Sequence, residues 1–92
     1  RKHRTFTKHL QTYAEQKAEK VLKVFDGTQQ IRVYLESPQG KANSFHVEVA
    51  VDVVKHADFI ANAIESDLYA AIDVAIDKAM RQVRDYKEKL RK

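Results

Sequence analysis

The spacing of apolar residues changes twice along this chain of 92 residues, and this change constrains the fold more than any other feature. Residues 7–25 and 67–91 carry apolar side chains at helical spacing, with a period of about 3.6 residues. The segment between them alternates apolar and polar residues in three stretches, which is typical of half-buried strands. The sequence therefore predicts an α+β domain with the element order α-β-β-β-α.

The first helix is predicted to begin after Thr7, whose hydroxyl suits the capping of a first turn. Its apolar residues fall within an arc of about 80°, which predicts a narrow stripe facing the core. Gly27 is the expected end of the helix, because glycine readily adopts the left-handed conformation that terminates helices. The stripe comprises Leu10, Ala14, Ala18, Val21 and Phe25.

Alternation predicts the positions of the strands and of the turns between them. The first strand covers residues 30–36, and residues 37–41 form a turn that contains the only proline of the chain. The second strand covers residues 44–53, the longest alternating stretch. Residues 55–58 are expected to connect it, as a short hairpin, to a third strand at residues 59–64.

The second helix is predicted to begin near Ser66 and Asp67, since both residues cap helix N-termini well. It would be about 37 Å long, so its last turns, from Tyr86 onward, are expected to project past the sheet. Ala61 and Ala63 share one face of the third strand, and such small side chains predict a closely packed helix there. Both helices are expected on one face of an antiparallel meander. The apolar stripe of the second helix is Leu68, Ile72, Ala75, Ile76, Ala79, Val83, Tyr86 and Leu90.

Charge is distributed unevenly along the chain, whose net charge is +4. Residues 1–23 contain seven basic and two acidic groups, and residues 78–92 contain the same numbers, so each block carries +5. Residues 24–77 contain three basic and nine acidic groups and carry −6. If the basic ends meet in the fold they form one positive face, as in nucleic-acid-binding proteins. The alternative is that these lysines and arginines only solvate helix surfaces.

Helical geometry separates the basic residues into two groups. On the second helix, Lys78 and Lys89 lie at the border of the apolar stripe. On the first helix, Lys17 and Lys20 lie beside the core stripe. Such lysines either lay their methylenes on apolar surface, with the amine in water, or line the groove between the helices opposite Lys78 and Arg81. The basic residues that face away from the core are Arg81, Arg84, Lys87, Arg91 and Lys92.

The aromatic residues do not suggest that single-stranded bases are recognised. Three phenylalanines, Phe25, Phe45 and Phe59, are expected in the core. The tyrosines are scattered, so no pair of them predicts a stacking platform. Structured RNA recognised by its shape and phosphates fits the sequence better. The four tyrosines are Tyr13, Tyr34, Tyr69 and Tyr86.

The sequence offers little for catalysis. It contains no cysteine, which excludes disulfides, thiol nucleophiles and thiolate metal sites, and its two glycines cannot form a glycine-rich phosphate loop. Asp73 and Asp77 are spaced i, i+4, and we expect them to form a solvated acidic face, with Asp77 paired to Arg81 or Asp73 paired to Lys78. We therefore expect no enzyme activity, cofactor or metal. No apolar run reaches the ~18 residues of a membrane span.

The order α-β-β-β-α also matches a double-stranded-RNA-binding domain. Such domains resemble one another in a lysine cluster at the start of the second helix, where cations face phosphate. Here that turn contains Glu65 and Asp67, whose charges would repel phosphate. This alternative is therefore weakened.

The second helix resembles the bacterial ribosome hibernation-promoting factor family, also called ribosome-associated inhibitor proteins. The first helix resembles that of the family more loosely, through Thr7-Lys8-His9-Leu10, Tyr13, Lys17, Lys20, Val21 and Phe25-Asp26. The residues that carry the specific resemblance are Asp67-Leu68-Tyr69-Ala70-Ala71-Ile72-Asp73, Ile76-Asp77-Lys78 and Arg81-Gln82.

The resemblance implies a β-α-β-β-β-α fold, in which a four-stranded sheet carries two roughly parallel helices on one face. The first strand of the family would precede residues 1–4, so three of the four strands are expected here. Residues 1–92 would form a single ribosome-binding domain, either a short family member or the amino-terminal domain of a longer one.

The resemblance also implies a function. Family members bind the small ribosomal subunit where mRNA and the tRNA anticodon ends lie. The chain would therefore inhibit translation by sterically excluding mRNA and tRNA in stress or stationary phase. It would be cytoplasmic, and monomeric when it is off the ribosome. Asp85 falls where the family commonly has a basic residue. A general structured-RNA-binding module and a protein-interaction domain are the alternatives. The residues expected to contact ribosomal RNA are Lys17, Lys20, Lys78, Arg81, Arg84, Lys87 and Lys89.

Overall fold

The computed structural model describes residues 8–36 and 44–90. Their element order, α-β-β-β-α, confirms the predicted α+β class. The predicted cap at Thr7, the turn at residues 37–41 and the last two residues lie outside the described residues. The elements are α1 (Lys8–Val24), β1 (Thr28–Glu36), β2 (Phe45–Val53), β3 (Phe59–Glu65) and α2 (Leu68–Leu90).

The three strands form one antiparallel sheet in the order β1-β2-β3, a meander as predicted. Val33 of β1 lies opposite Val49 of β2, which in turn lies opposite Ala61 of β3. Because side chains alternate between the two faces of a strand, this register places the apolar residues of all three strands on the same face. That face carries both helices.

The core is built mainly between the sheet and α2. Alternate valines of β2, from Val47 to Val53, are almost fully buried and contribute the centre of the sheet face. Ala61 and Ala63 of β3 are also buried, which agrees with the expected close approach of a helix. Only two residues of α1, Ala14 and Val21, are buried. The buried residues of α2 are Ala71, Ile72, Ala75, Ile76, Ala79 and Val83.

The two helices run in the same direction along the sheet. Near their beginnings, the rings of Tyr13 and Tyr69 lie 4.9 Å apart between centroids. Near their ends, Phe25, just after α1, lies 5.7 Å from Tyr86. Residues early in α1 thus meet residues early in α2, and the same holds for the ends. This arrangement leaves a groove between α1 and α2 on the side that faces away from the sheet.

The end of α2 differs from the sequence-based prediction. Tyr86 does not project past the sheet but packs against Phe25, Phe59 and His56, with ring centroids 4.5–5.7 Å away. The β2–β3 hairpin supplies His56 and Phe59, and their rings cover Tyr86 at this end of the core. Projection begins only after Tyr86, where Leu90 is 54% exposed.

Gly27, in the connection between α1 and β1, is required by close packing. A Cβ atom at this position would lie 2.5 Å from Cε2 of Phe25, well inside the contact distance. The ring of Phe25 is itself held edge-to-face against Tyr86. The backbone carbonyl of Gly27 accepts a hydrogen bond from the amide of Val54, at 2.9 Å, which ties this connection to the end of β2.

Candidate nucleic-acid interface

The inter-helix groove contains an open cavity of about 410 Å³. Lysines of α1 form one side, and carboxylates and apolar residues of α2 form the other. The lining residues are Lys17, Lys20, Asp73, Val74, Ile76, Asp77 and Met80. The structure therefore places Lys17 and Lys20 in the groove, which was one of the two interpretations left open by their sequence positions.

Asp73 joins the two helices. Its Oδ1 atom accepts a hydrogen bond from the Tyr13 hydroxyl at 2.7 Å and lies 3.4 Å from the Lys17 ammonium. The same ammonium lies 5.5 Å from the centroid of the Tyr13 ring, within the range of a cation–π contact. The hydrogen bond to Asp73, with burial and the nearby negative charge, raises the pKa of Tyr13 to about 12. Tyr13 is therefore a neutral donor at physiological pH.

One of the two ion pairs expected for the carboxylates is confirmed, and the other is wrong. Arg81 lies 3.2 Å from Asp77, and both side chains are more than half exposed, so the pair is weak, about 0.3–0.5 kcal/mol. Asp73 does not pair with Lys78. A separation of five residues turns the side chains about 140° apart around the helix, so Asp73 faces α1 instead.

Lys78 lies on the opposite flank of α2, against the sheet edge. Its ammonium donates to the carbonyl of Asn62 at 3.0 Å, and the Gln82 amide donates to the carbonyl of Ile60 at 3.2 Å. Lys78 is about 160° from Met80 around the helix, so it does not line the groove. The sequence-based expectation that Lys78 lies across the groove from Lys17 is therefore wrong. Lys89 is only about 20° from Lys78 and lies on the same sheet-edge flank.

The other basic residues of α2 extend the groove. Arg84 and Lys87 lie within about 40° of Met80 around the helix axis, so they follow the cavity toward the end of α2. We call the surface formed by these two residues with the cavity residues the groove face. No hydrogen bond or ion pair to another described residue engages the basic groups of Lys20, Arg84, Lys87 and Lys89. Their charges are available to a partner.

The structure contains an aromatic pair that the sequence did not predict. The tyrosines are not all scattered, because Tyr13 and Tyr69 pack edge-to-face, with an interplanar angle of 84°. They border a second cavity of about 440 Å³ at the start of α1. The only available signal was that each tyrosine lies four residues before a groove residue, Lys17 or Asp73.

Within residues 8–36 and 44–90, no group of three or more histidines and carboxylates could hold a metal ion. His46 bonds to Glu36 and Asn62 across the sheet, on the face remote from the helices. His56 stacks on Phe59 with ring centroids 4.4 Å apart. Neither described helix is both long and apolar enough to cross a membrane.

Sequence comparison groups this chain with ribosome-associated proteins. Residues 1–91 match the profile of the family described as sigma 54 modulation protein / S30EA ribosomal protein. A ribosome hibernation promoting factor from Azotobacter vinelandii is 34% identical over 83 residues, which are 90% of this chain and 74% of that protein.

Solved structures show the same fold. A ribosomal subunit interface protein from Coxiella burnetii superposes with a TM-score of 0.80 at 19% identity, over 92% of this chain and 89% of that one. The N-terminal domain of Protein Y from Thermus thermophilus superposes with a TM-score of 0.75 at 26% identity, over 87% and 84% of the two chains.

Proposed function

We propose that this chain, which belongs to the sigma 54 modulation protein / S30EA ribosomal protein family, is a ribosome hibernation factor that binds the small ribosomal subunit through its groove face. Membership of the family confirms the resemblance detected around Tyr69 and associates the chain with the ribosome. The finer proposal is that the bound domain lies in the decoding channel of a cytoplasmic ribosome and sterically excludes mRNA and tRNA.

The observation that carries this proposal is the set of available cations along the groove face. Lys20, Arg84 and Lys87 have no charge partner among the described residues. Arg84 and Lys87 are three residues apart on α2, which separates them by about 4.5 Å along the helix axis. Cations held at such spacing on a rigid helix suit successive phosphates of folded RNA, and phosphate contacts supply most of the affinity of such interfaces.

The carboxylates in the groove do not cancel this positive charge. Asp73 is compensated by Lys17, and Asp77 is compensated by Arg81. The groove face contains four basic groups, Lys17, Lys20, Arg84 and Lys87, and two acidic groups, Asp73 and Asp77, so its net charge is +2. Exposed ion pairs as weak as Asp77–Arg81 also exchange partners readily when a phosphate approaches.

The proposed mechanism is occupancy and requires no chemistry. The groove residues bind and orient the domain, and its bulk prevents mRNA and tRNA from occupying the same channel. A general RNA-binding module would use the same cations but would not distinguish a small subunit from naked RNA. The proposal therefore requires that naked ribosomal RNA fragments compete poorly with whole subunits.

The contribution of the groove face is tested by a matched pair of double variants. Arg84→Gln/Lys87→Gln removes two charges from the groove face, and Lys23→Gln/Lys55→Gln removes two charges elsewhere, on α1 and in the β2–β3 turn. Affinity for purified small subunits is measured over a range of salt concentrations. The groove variant should lose affinity and about 1.4 units of salt slope, at about 0.7 per phosphate contact, while the control should resemble the parent. Equal losses in both variants would refute the assignment.

A further inference from the structure

The proposed function leaves unused an aromatic pair at the beginning of the groove. Tyr69 is 37% exposed, and Tyr13 is half-buried beneath it. In an edge-to-face pair only one ring face is covered by the partner ring, so the pair leaves aromatic surface accessible. The adjoining cavity of about 440 Å³ falls in the size range of small-ligand sites.

The side chains around this cavity suit a nucleotide. Its polar lining includes the amide of Gln16, which can both donate hydrogen bonds to a base edge and accept them from it. The exposed ammonium of Lys8 and the exposed imidazole of His9 also line the cavity. Thr12 is less available, because its hydroxyl donates to the carbonyl of Lys8 at 3.0 Å. An aromatic surface beside cations is the combination with which proteins bind unpaired bases.

The tyrosine pair is held in place by the groove itself. The Tyr13 hydroxyl is fixed by its 2.7 Å hydrogen bond to Asp73, and the Tyr13 ring lies 5.5 Å from the Lys17 ammonium. Tyr69 lies about 20° from Met80 around α2, so it is on the same flank as the groove cavity. An RNA strand whose phosphates follow the groove face would reach Tyr69 at the beginning of the two helices.

We propose that the Tyr13–Tyr69 pair is a stacking site for one unpaired RNA base, with Tyr69 as the contacting ring and Tyr13 as its support. This inference rests on the proposed function, since it adds a base contact to the phosphate contacts of the same groove. It revises the expectation, drawn from the scattered tyrosines of the sequence, that the protein recognises RNA by phosphate and shape alone.

The first experiment compares Tyr69→Leu with Tyr69→Phe in binding to small ribosomal subunits. Leucine preserves an apolar contact with Tyr13 but removes the ring, whereas phenylalanine keeps the ring. Tyr69→Leu should bind about 5- to 150-fold more weakly with an unchanged salt slope, since stacking releases no counterions, and Tyr69→Phe should bind like the parent. Thermal melting of both variants verifies that the fold is retained. A folded Tyr69→Leu variant with parental affinity would overturn the stacking site.

The second experiment does not depend on the ribosome. The chain has no tryptophan, so Tyr69→Trp introduces a single indole fluorophore at the proposed site. At low salt, a short single-stranded oligoribonucleotide should quench its fluorescence, and an abasic strand with the same number of phosphates should not. Equal effects of the two strands, or no quenching by either, would overturn the stacking site. If the parent fails to bind small subunits but quenching requires bases, the ribosomal proposal fails and the stacking site stands.

Discussion

Replacing Asp73 with Asn is expected to tighten binding to the small subunit while slightly destabilising the fold. Asp73 engages Tyr13 and Lys17 through the same oxygen, at 2.7 and 3.4 Å. The amide oxygen of asparagine still accepts the hydrogen bond from Tyr13, but it no longer attracts Lys17 electrostatically. The substitution therefore frees one cation in the groove and removes one negative charge from it.

The expected size of the effect follows from the contacts that change. Lys17 and Asp73 are 35% and 45% exposed, so their ion pair contributes at most about 1 kcal/mol to stability. Losing it should lower the melting temperature by no more than about 4–8 °C. One added phosphate contact steepens the dependence of the logarithm of affinity on the logarithm of salt concentration by about 0.7. If the contact contributes nothing near 1 M salt, this slope corresponds to about 8-fold tighter binding at 50 mM salt and about 3-fold tighter binding at 200 mM.

The assay is co-sedimentation with purified small subunits at these two salt concentrations. Asp52→Asn is the matched control, because it changes net charge equally but lies on the sheet face remote from the helices, between buried Val51 and Val53. The control should gain little. If Asp73→Asn binds no more tightly than Asp52→Asn, with the parental salt slope, then Lys17 does not contact phosphate and the proposed groove face is misplaced.

Three further predictions concern stability, pH and the sheet edge. Ile72→Ala should destabilise the fold by about 2–5 kcal/mol in denaturant unfolding, because Ile72 is fully buried, whereas a loss below 1 kcal/mol would contradict the packing described. The pKa of Tyr13 is about 12 in the folded chain against 10.0 for an unperturbed tyrosine, so the neutral hydroxyl contributes fully to stability below pH 10 and this contribution is lost as pH rises to 12. Tyr13→Phe should therefore show a smaller loss of stability than the parent between pH 10 and pH 12. Identical profiles of stability against pH for the two proteins would refute this prediction. The double variant Lys78→Ala/Gln82→Ala should self-associate in sedimentation, because it uncovers the backbone carbonyls at the β3 edge. Lys89→Ala, which leaves these carbonyls covered, should not. Equal self-association of the two variants would show that Lys78 and Gln82 do not protect the edge.

The fold was largely predictable because its elements differ in hydrophobic period. Alternation over residues 45–53 identified the central strand, and the alanines of β3 correctly indicated a packed helix. These signals are local, since each depends on residues a few positions apart. The position of Tyr86 was mispredicted because helix length alone does not show that the β2–β3 hairpin supplies rings to cover it.

The candidate site was less predictable because it depends on how the helices are rotated against each other. Sequence geometry showed that Lys78 borders the apolar stripe, but not which border faces α1 and which faces β3. Tyr13 and Asp73 are sixty residues apart, and their contact arises only when two stripes pack on one sheet face. The basic character of the groove was predictable from composition, whereas its division into a groove face and a sheet-edge flank was not.

The most direct test of the central claim is competition on the small subunit. The parent chain is bound to purified small subunits at low salt, and saturating mRNA and tRNA are then added before sedimentation. Exclusion from the decoding channel predicts that the two ligands together release the chain from the pellet, and that the chain in excess prevents their binding. Simultaneous, undiminished binding of the chain, mRNA and tRNA to the same subunits would contradict the account.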